Sequence, residues 1–234
     1  MGSFKKARRL MSEIKIDKLN KSIKGAVILN DISMTMTSGK IYGFKGKNGS
    51  GKTMLMRAIS GLIISDSGTV SIDGKILHRD IQFPQSIGVL IENPSFLPQY
   101  TGTKNLKLLA SLSSNISDED IKKALQRVGL DPEDKRTFRK YSLGMKQKLG
   151  IANAIMGEPD IIILDEPINA LDEESAHNIK KVLLEIRDRD KLIIIACHDK
   201  EELEFLSDII YEIKDGCLID RKELTDENVT VLET

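Results

Sequence analysis

Apolar and polar residues alternate through Ile14, Ile16, Ile28 and the stretch 32–36, with a break at Gly25. A period of two predicts half-buried strands. A second alternating segment, Thr69-Val-Ser-Ile-Asp-Gly-Lys-Ile-Leu77, has Asp73-Gly74 at its centre. Those two residues tolerate the positive φ of a two-residue turn, so the segment reads as a hairpin. Together these strands predict a small antiparallel layer. The pattern then changes, because residues 40–44, 161–164 and 192–196 are short, nearly unbroken apolar runs. Such runs fit parallel strands covered on both faces. Segments of helical period alternate with them, at 52–60 ahead of Gly61 and at 173–187, where Ala176, Ile179, Leu183 and Ile186 share a side.

Between these halves, residues 103–157 are mostly helical in pattern, with segments at 105–112, at 118–128 ahead of Gly129, and at 143–156. Ser117 followed by Asp118, Glu119 and Asp120 predicts a capped helix start with acids in its first turn. Asp131-Pro-Glu-Asp134 reads as a connecting turn and Asp215-Gly216 as a second hairpin. The expected organisation is one α/β domain over 14–220, with a mostly parallel core sheet, an antiparallel β-subdomain and an α-helical subdomain inserted at about 95–157. A basic extension, 1–13, precedes it, and a polar tail, 221–234, follows.

Composition mainly excludes. The 234 residues carry 35 Lys plus Arg against 35 Asp plus Glu, so neither a basic nucleic-acid coat nor an acidic tail organises the chain. With 40% apolar and 30% charged residues the chain is globular in character, and folding at this size buries roughly 72% of the extended chain's surface. No uninterrupted apolar stretch approaches the ~18 residues of a membrane span. The start is basic without a long apolar run, and Lys6 stands where a myristoylation pattern wants Ser or Thr, so neither a secretory signal nor that lipid is expected. Met11 offers a second start. Two cysteines, Cys197 and Cys217, are too few for a disulfide framework and fit a reducing cytoplasm.

Chemistry enters at Gly46-Lys47-Asn48-Gly49-Ser50-Gly51-Lys52-Thr53, which fits the P-loop pattern G-x-x-x-x-G-K-[ST] between a buried strand and a helix. Gly49 and Gly51 let backbone N–H groups turn inward on a polyphosphate, and the helix presents its positive end. Lys52 reaches the terminal phosphates and Thr53 holds Mg²⁺, so the fold class is a P-loop NTPase and the expected cofactors are ATP and Mg²⁺. Ile161-Ile-Ile-Leu-Asp-Glu166 is a buried strand ending in two carboxylates. Beside a P-loop, Asp165 is the expected magnesium carboxylate and Glu166 the general base.

Taken in order, these motifs resemble the ATP-binding subunit of an ABC transporter over nearly the whole of residues 14–219. Tyr141-Ser-Leu-Gly-Met-Lys-Gln147 looks like that family's signature at the start of a helix. The resemblance implies that the signature of one subunit closes over ATP held by the P-loop of another, which makes Ser142 and Gly144 γ-phosphate contacts in trans. A serine hydroxyl at a helix N-terminus suits an anion, although Ser142 by itself reads as an ordinary N-cap. Asn169-Ala-Leu-Asp172 is similar to the D-loop that passes between the two nucleotide sites, so Asp172 joins the nucleotide contacts. Cys197-His198 stands where the family keeps its switch histidine. His198 also follows the run 192–196 directly, which places it at the carboxyl edge of a parallel sheet. His78 and His177 lie at no such edge and read as surface or satisfied residues, and Cys197 as a small buried one.

The sequence departs from the family pattern at three places. Residues 87–97 match the Q-loop except that Glu92 replaces its glutamine. A carboxylate is the harder magnesium ligand and also adds negative charge near the γ-phosphate, and both effects stand open. Near Lys24-Gly25 the family offers an aromatic ring to adenine where this chain has Ile23, and Leu143 and Met145 replace the commoner glycine and glutamine of the signature. Glu92, the Ser-Leu-Gly-Met form and the run 97–106 resemble the bacitracin-resistance and lantibiotic-immunity branch of exporters.

The resemblance implies an ATP-hydrolysing motor working as a head-to-tail homodimer, or as a pseudo-dimer with a related ATPase. It also implies a separate multi-pass membrane permease reached through a groove around Glu92, Pro94, Phe96 and Tyr100, and a place on the inner face of the cell membrane. No nucleic-acid partner is expected. The rival is a soluble ABC-type ATPase that drives cofactor or complex assembly without a permease.

Overall fold

The computed structural model describes residues 12–113 and 115–224; the segments 1–11, with Lys6 and Met11, and 225–234 lie outside the described residues. β1 (Glu13–Ile23) turns at Lys24-Gly25 and pairs antiparallel with β2 (Ala26–Thr37). After β3 (Lys40–Lys45) and α1 (Lys52–Ile59), β4 (Ser67–Ile72) pairs with β1 and turns at Asp73-Gly74 into β5 (Lys75–Ile76). This four-stranded sheet has the order β2-β1-β4-β5. The chain continues through β6 (Ile87–Leu90) into the helices α2 (Gly102–Ala110), α3 (Asp118–Arg127) and α4 (Leu143–Ile155). It returns through β7 (Ile161–Asp165), α5 (Glu173–Arg187), β8 (Leu192–Ala196), α6 (Lys200–Leu206), β9 (Ile209–Lys214) and β10 (Cys217–Glu223). The second sheet has the order β10-β9-β3-β8-β7-β6 and is parallel except where β10 meets β9.

The apolar runs are buried on both faces, and successive residues supply opposite sides of the sheet. Tyr42, Phe44, Ile161, Ile163 and Ile194 pack with Leu55 and Met56 of α1 and with Ile14 and Ile16 of the antiparallel layer. Ile41, Ile162, Leu164, Ile193 and Ile195 pack with Leu149 of α4, Leu183 of α5 and Leu203 of α6. The helical layer seats closely: a Cβ on Gly88 would lie 1.7 Å from the Ala154 carbonyl oxygen, so β6 needs glycine where α4 crosses it. Ser117 makes the expected capping box, accepting from Asp120 N–H while its own N–H donates to Asp120 Oδ2 at 2.9 Å.

Several boundaries differ from the sequence expectation. The fold takes in Ser12 and Glu13, because the Ser12 carbonyl accepts from Ser38 N–H and Glu13 opens β1. At the other end β10 runs past residue 220 to Glu223, into the expected polar tail. It is polar because it is an edge strand, where Arg221–Glu223, Lys40–Glu223 and Lys222–Glu204 ion pairs replace burial. Residues 87–90, read as part of the Q-loop, are strand because they complete the edge beside β7. α2 starts at Gly102 rather than 105, since Thr101 caps it by accepting from Lys104 N–H.

Candidate functional site

The parallel strands β3, β8, β7 and β6 end side by side, and their carboxyl ends release the P-loop, Cys197-His198, Asp165-Glu166 and Ile91-Glu92 respectively. This edge is where open α/β sheets bind ligands. Residues 46–51 wrap tightly, with φ of 158° at Gly46, 80° at Gly49 and 107° at Gly51. A Cβ on Gly46 would lie 2.2 Å from the Ile213 carbonyl oxygen and 2.5 Å from Ser50 Oγ, so no larger residue fits. α1 begins at once with no side-chain cap and no acid in its first turn. Its first N–H groups therefore point at the loop unclaimed, as an anion site requires. Ser50 Oγ is buried without a hydrogen-bond partner, a second sign that the loop is shaped for a polar ligand.

Lys52 is only 7% exposed, and its Nζ donates to the carbonyl oxygens of Gly46 at 2.6 Å and Lys47 at 3.2 Å. One residue on, Thr53 Oγ1 donates to Asp165 Oδ2 at 2.7 Å, joining P-loop to β7. Burial raises the Asp165 pKa above the ordinary carboxylate value; Thr53's hydrogen bond opposes the shift, Glu166 adds to it, Lys52 opposes it and Glu92 adds to it. Glu166 adopts a left-handed backbone, φ 50°, its N–H donating to the Ala196 carbonyl at 2.9 Å. Its Oε2 lies 2.8 Å from His198 Nδ1, so β7 and β8 deliver an acid–imidazole pair to the edge of the loop.

A cleft of about 440 Å³ lies over the loop, lined by residues 48–54 with Ile28, Asp165 and Glu166. A wider one of about 700 Å³ adjoins it, lined by residues 45–48 with Glu166, Asn169, His198 and Glu212. Gly46, Lys47, Asn48, Gly49, Ser50, Gly51, Lys52, Thr53, Asp165, Glu166 and His198 thus come together. Ile23 does not line either cleft; it sits at the β1–β2 turn, 41% exposed, and Ile28 and Met54 are the apolar lining instead. Glu92 has a left-handed backbone at φ 61° and its Oε1 accepts from Arg57 Nη2 at 2.8 Å, leaving a carboxylate 60% exposed and paired to α1.

Ser142, Gly144 and Asp172 also stay outside both clefts. Ser142 and Asp172 are the N-caps of α4 and α5, accepting from Met145 N–H and Ser175 N–H. The bond from Ser175 holds the Asp172 carboxyl below the usual value. Gly144 faces Ala170, whose carbonyl oxygen would be 3.2 Å from an added Cβ. In the expected groove, the Phe96 ring turns inward to meet Phe138 edge-on at 5.2 Å, while Leu97 is exposed and Lys104 Nζ lies over the Tyr100 ring. His78 reaches the Ile63 carbonyl oxygen, and burial pushes the Cys197 thiol up to about 11, so it stays protonated and unreactive.

Sequence reasoning gave no role to Arg57, Ile28 or Gln147. Gln147 is buried, and its Nε2 donates to the carbonyl oxygens of Glu166 at 2.8 Å and Pro167 at 3.3 Å. The one local signal was an amide on an otherwise apolar stripe with Ile151 and Ala154.

A Gly-rich loop feeding a helix, an acidic pair at the end of the neighbouring strand and a separate antiparallel layer define a P-loop ATPase of the ATP-binding-cassette class. The chain belongs to the ABC transporter family: the family model of that description matches residues 29–169. It is 47% identical over 205 residues to YybJ of Bacillus subtilis, an uncharacterized ABC transporter ATP-binding protein, covering 88% of this chain and 94% of the relative. The bacitracin transport ATP-binding protein BcrA of Enterococcus faecalis is 38% identical over 91% of this chain and 70% of its own length. The lantibiotic transport ATP-binding protein SrtF of Streptococcus pyogenes is 35% identical over 90% of each. The fold matches the cassette MJ0796, solved as a dimer in a post-hydrolysis state with ADP and phosphate, at a TM-score of 0.83 and 21% identity over 91% of this chain and 99% of that one. The chain is therefore an ATPase of this family, and no helix among the described residues is long and apolar enough to cross a membrane.

Proposed function

We propose that this protein is the ATP-hydrolysing motor of an exporter that moves peptide antibiotics of the bacitracin or lantibiotic kind. Two copies sandwich two nucleotides head to tail and drive a separate multi-pass permease from the inner face of the membrane. One observation carries the dimer: the cleft holds a P-loop, an acid–imidazole pair and a threonine–aspartate pair, yet Ser142 and Gly144 of the same chain lie outside it. A signature serine outside its own nucleotide cleft is free to serve a partner's. The names of BcrA and SrtF support the cargo class and favour this reading over a permease-free assembly ATPase.

In this reading the loop N–H groups and Lys52 hold the β- and γ-phosphates, and Ser50 Oγ gains the partner it lacks. Among the described residues no group of three or more His, Cys, Asp or Glu could cage a metal. Thr53 and Asp165 fit Mg²⁺, which takes few protein oxygens beside those of the phosphates and would neutralise part of their charge. Glu166 accepts the proton of the attacking water, and His198 fixes the direction of its carboxylate. Glu92 Oε1 is held by Arg57, so Glu92 would reach a bound metal through its other carboxylate oxygen or by giving up that ion pair. Loss of the γ-phosphate frees the partner's Ser142, and the opening passes through the segment around Glu92, Pro94, Leu97 and Tyr100.

The test is a pull-down of tagged Glu166→Gln from detergent-solubilised native membranes in Mg-ATP, followed by mass spectrometry. A multi-pass membrane protein in near-equal amount is the expected result. Recovery of soluble partners alone would replace the transporter reading with the assembly ATPase.

A further inference from the structure

Gln147 lies about one and a half turns along α4 from Ser142, buried at 9% exposure. A primary amide has two N–H donors, and both acceptors here are main-chain oxygens, Glu166 O at 2.8 Å and Pro167 O at 3.3 Å. The segment they belong to lies beyond regular structure. β7 ends at Asp165, Glu166 holds φ 50°, and the other bond to the Glu166 carbonyl, from Asn169 N–H, is long at 3.3 Å. A non-glycine residue keeps a left-handed backbone only where its surroundings over-determine it. On one side Ala196 O holds the Glu166 N–H; on the other the Gln147 amide holds the carbonyl.

We propose that Gln147 is a positioning residue for the reaction: it fixes the peptide that follows Glu166, and with it the aim of the carboxylate toward His198 and the P-loop cleft. This rests on the reading of Glu166 as the base. Gln147 rides on the helix that Ser142 begins, so a shift of that helix carries the Glu166 segment with it.

Gln147→Met keeps the side chain's length without a donor, and Gln147→Glu keeps length and polarity but, when ionised, turns acceptors toward two carbonyls. Both are compared with wild type and Glu166→Gln, in the full chain, for phosphate release and for binding of a fluorescent ATP analogue. The expected result for Gln147→Met is a kcat about ten- to a hundredfold lower, with KM and analogue Kd within about twofold, the pattern of a misaimed group and not of a lost binding site. For Gln147→Glu, kcat relative to wild type rises as the pH falls, because protonation restores one donor. Should Gln147→Met be insoluble, that pH ratio carries the test. Wild-type kcat, a loss of kcat matched by loss of nucleotide binding, or a flat pH ratio overturns the proposal. A fully active Glu166→Gln would remove the base assignment and this proposal with it, whereas an inactive Glu166→Gln beside an active Gln147→Met removes the positioning role alone.

Discussion

Replacing Glu166 by glutamine changes one atom's chemistry at the centre of the proposed mechanism. Glutamine fills the same volume, bears the same backbone cost at φ 50°, and keeps an oxygen that can accept from His198. It loses the capacity to take a proton. General-base catalysis contributes on the order of 10² to 10⁴ in rate, so the barrier should rise by about 2.7 to 5.4 kcal/mol. The ground state should gain, because Glu166 is one of the charges that raise the Asp165 pKa. Its neutralisation eases ionisation of Asp165 beside Thr53, so Mg-nucleotide binding is retained or tightened. The assay is phosphate release at saturating Mg-ATP, paired with titration of a labelled ATP analogue, since the chain has no tryptophan to report binding. A turnover within about threefold of wild type, with binding intact, would refute the assignment of Glu166 as the base.

Further outcomes follow from contacts at three positions. Burial raises the Asp165 pKa, so the stability tied to this group is present below the unfolded carboxylate value and is lost as pH rises through the folded one. Asp165→Asn keeps an acceptor for Thr53 and should therefore melt higher than wild type at neutral pH, the gain shrinking as the pH is lowered; a lower neutral Tm by calorimetry would contradict this. Ser142→Ala removes the α4 cap and should cost about 1 kcal/mol, roughly 2 to 4 °C in Tm, together with ATP-dependent dimerisation. Ser142→Asp keeps the cap but sets a carboxylate against phosphate, so light scattering should show dimerisation lost at near-wild-type Tm. Gly88→Ala would place a methyl carbon 1.7 Å from the Ala154 carbonyl oxygen and should abolish soluble expression or lower Tm steeply in a thermal-shift assay.

What could be read in advance divides along physical lines. β3, β7 and β8 were legible because strands covered on both faces must be apolar throughout, and the P-loop because its glycines and Lys52 fall within one short stretch, 46–52. β6 hid behind Gly88, whose lack of a side chain serves the α4 contact and imitates a loop. β10 hid behind its charges, which an edge strand can keep in water. Thr53 and Asp165 were expected to meet because two separate motifs name them, and they do. Arg57–Glu92 and Gln147–Glu166 join residues 35 and 19 apart in positions no local period connects, so only the packed fold reveals them. Ile23 and Ile28 lie on the same hairpin, Ile23 beside its turn and Ile28 farther along β2, and only the folded placement of that hairpin shows which one lines the cleft.

The hydrogen bonds from Lys52 to Gly46 and Lys47 bear on how such a motor reloads. An ammonium sealed away from water with no acceptors of its own would cling to whichever phosphate reached it, and a spent diphosphate would stay. Here the loop supplies two carbonyl oxygens that compete for the same protons, so an arriving nucleotide exchanges bonds instead of simply adding them. That exchange offsets part of the free energy that each new bond to phosphate would otherwise contribute. The loop's own main chain thus acts as a rival ligand, and the grip on phosphate is the difference between the two sets of bonds.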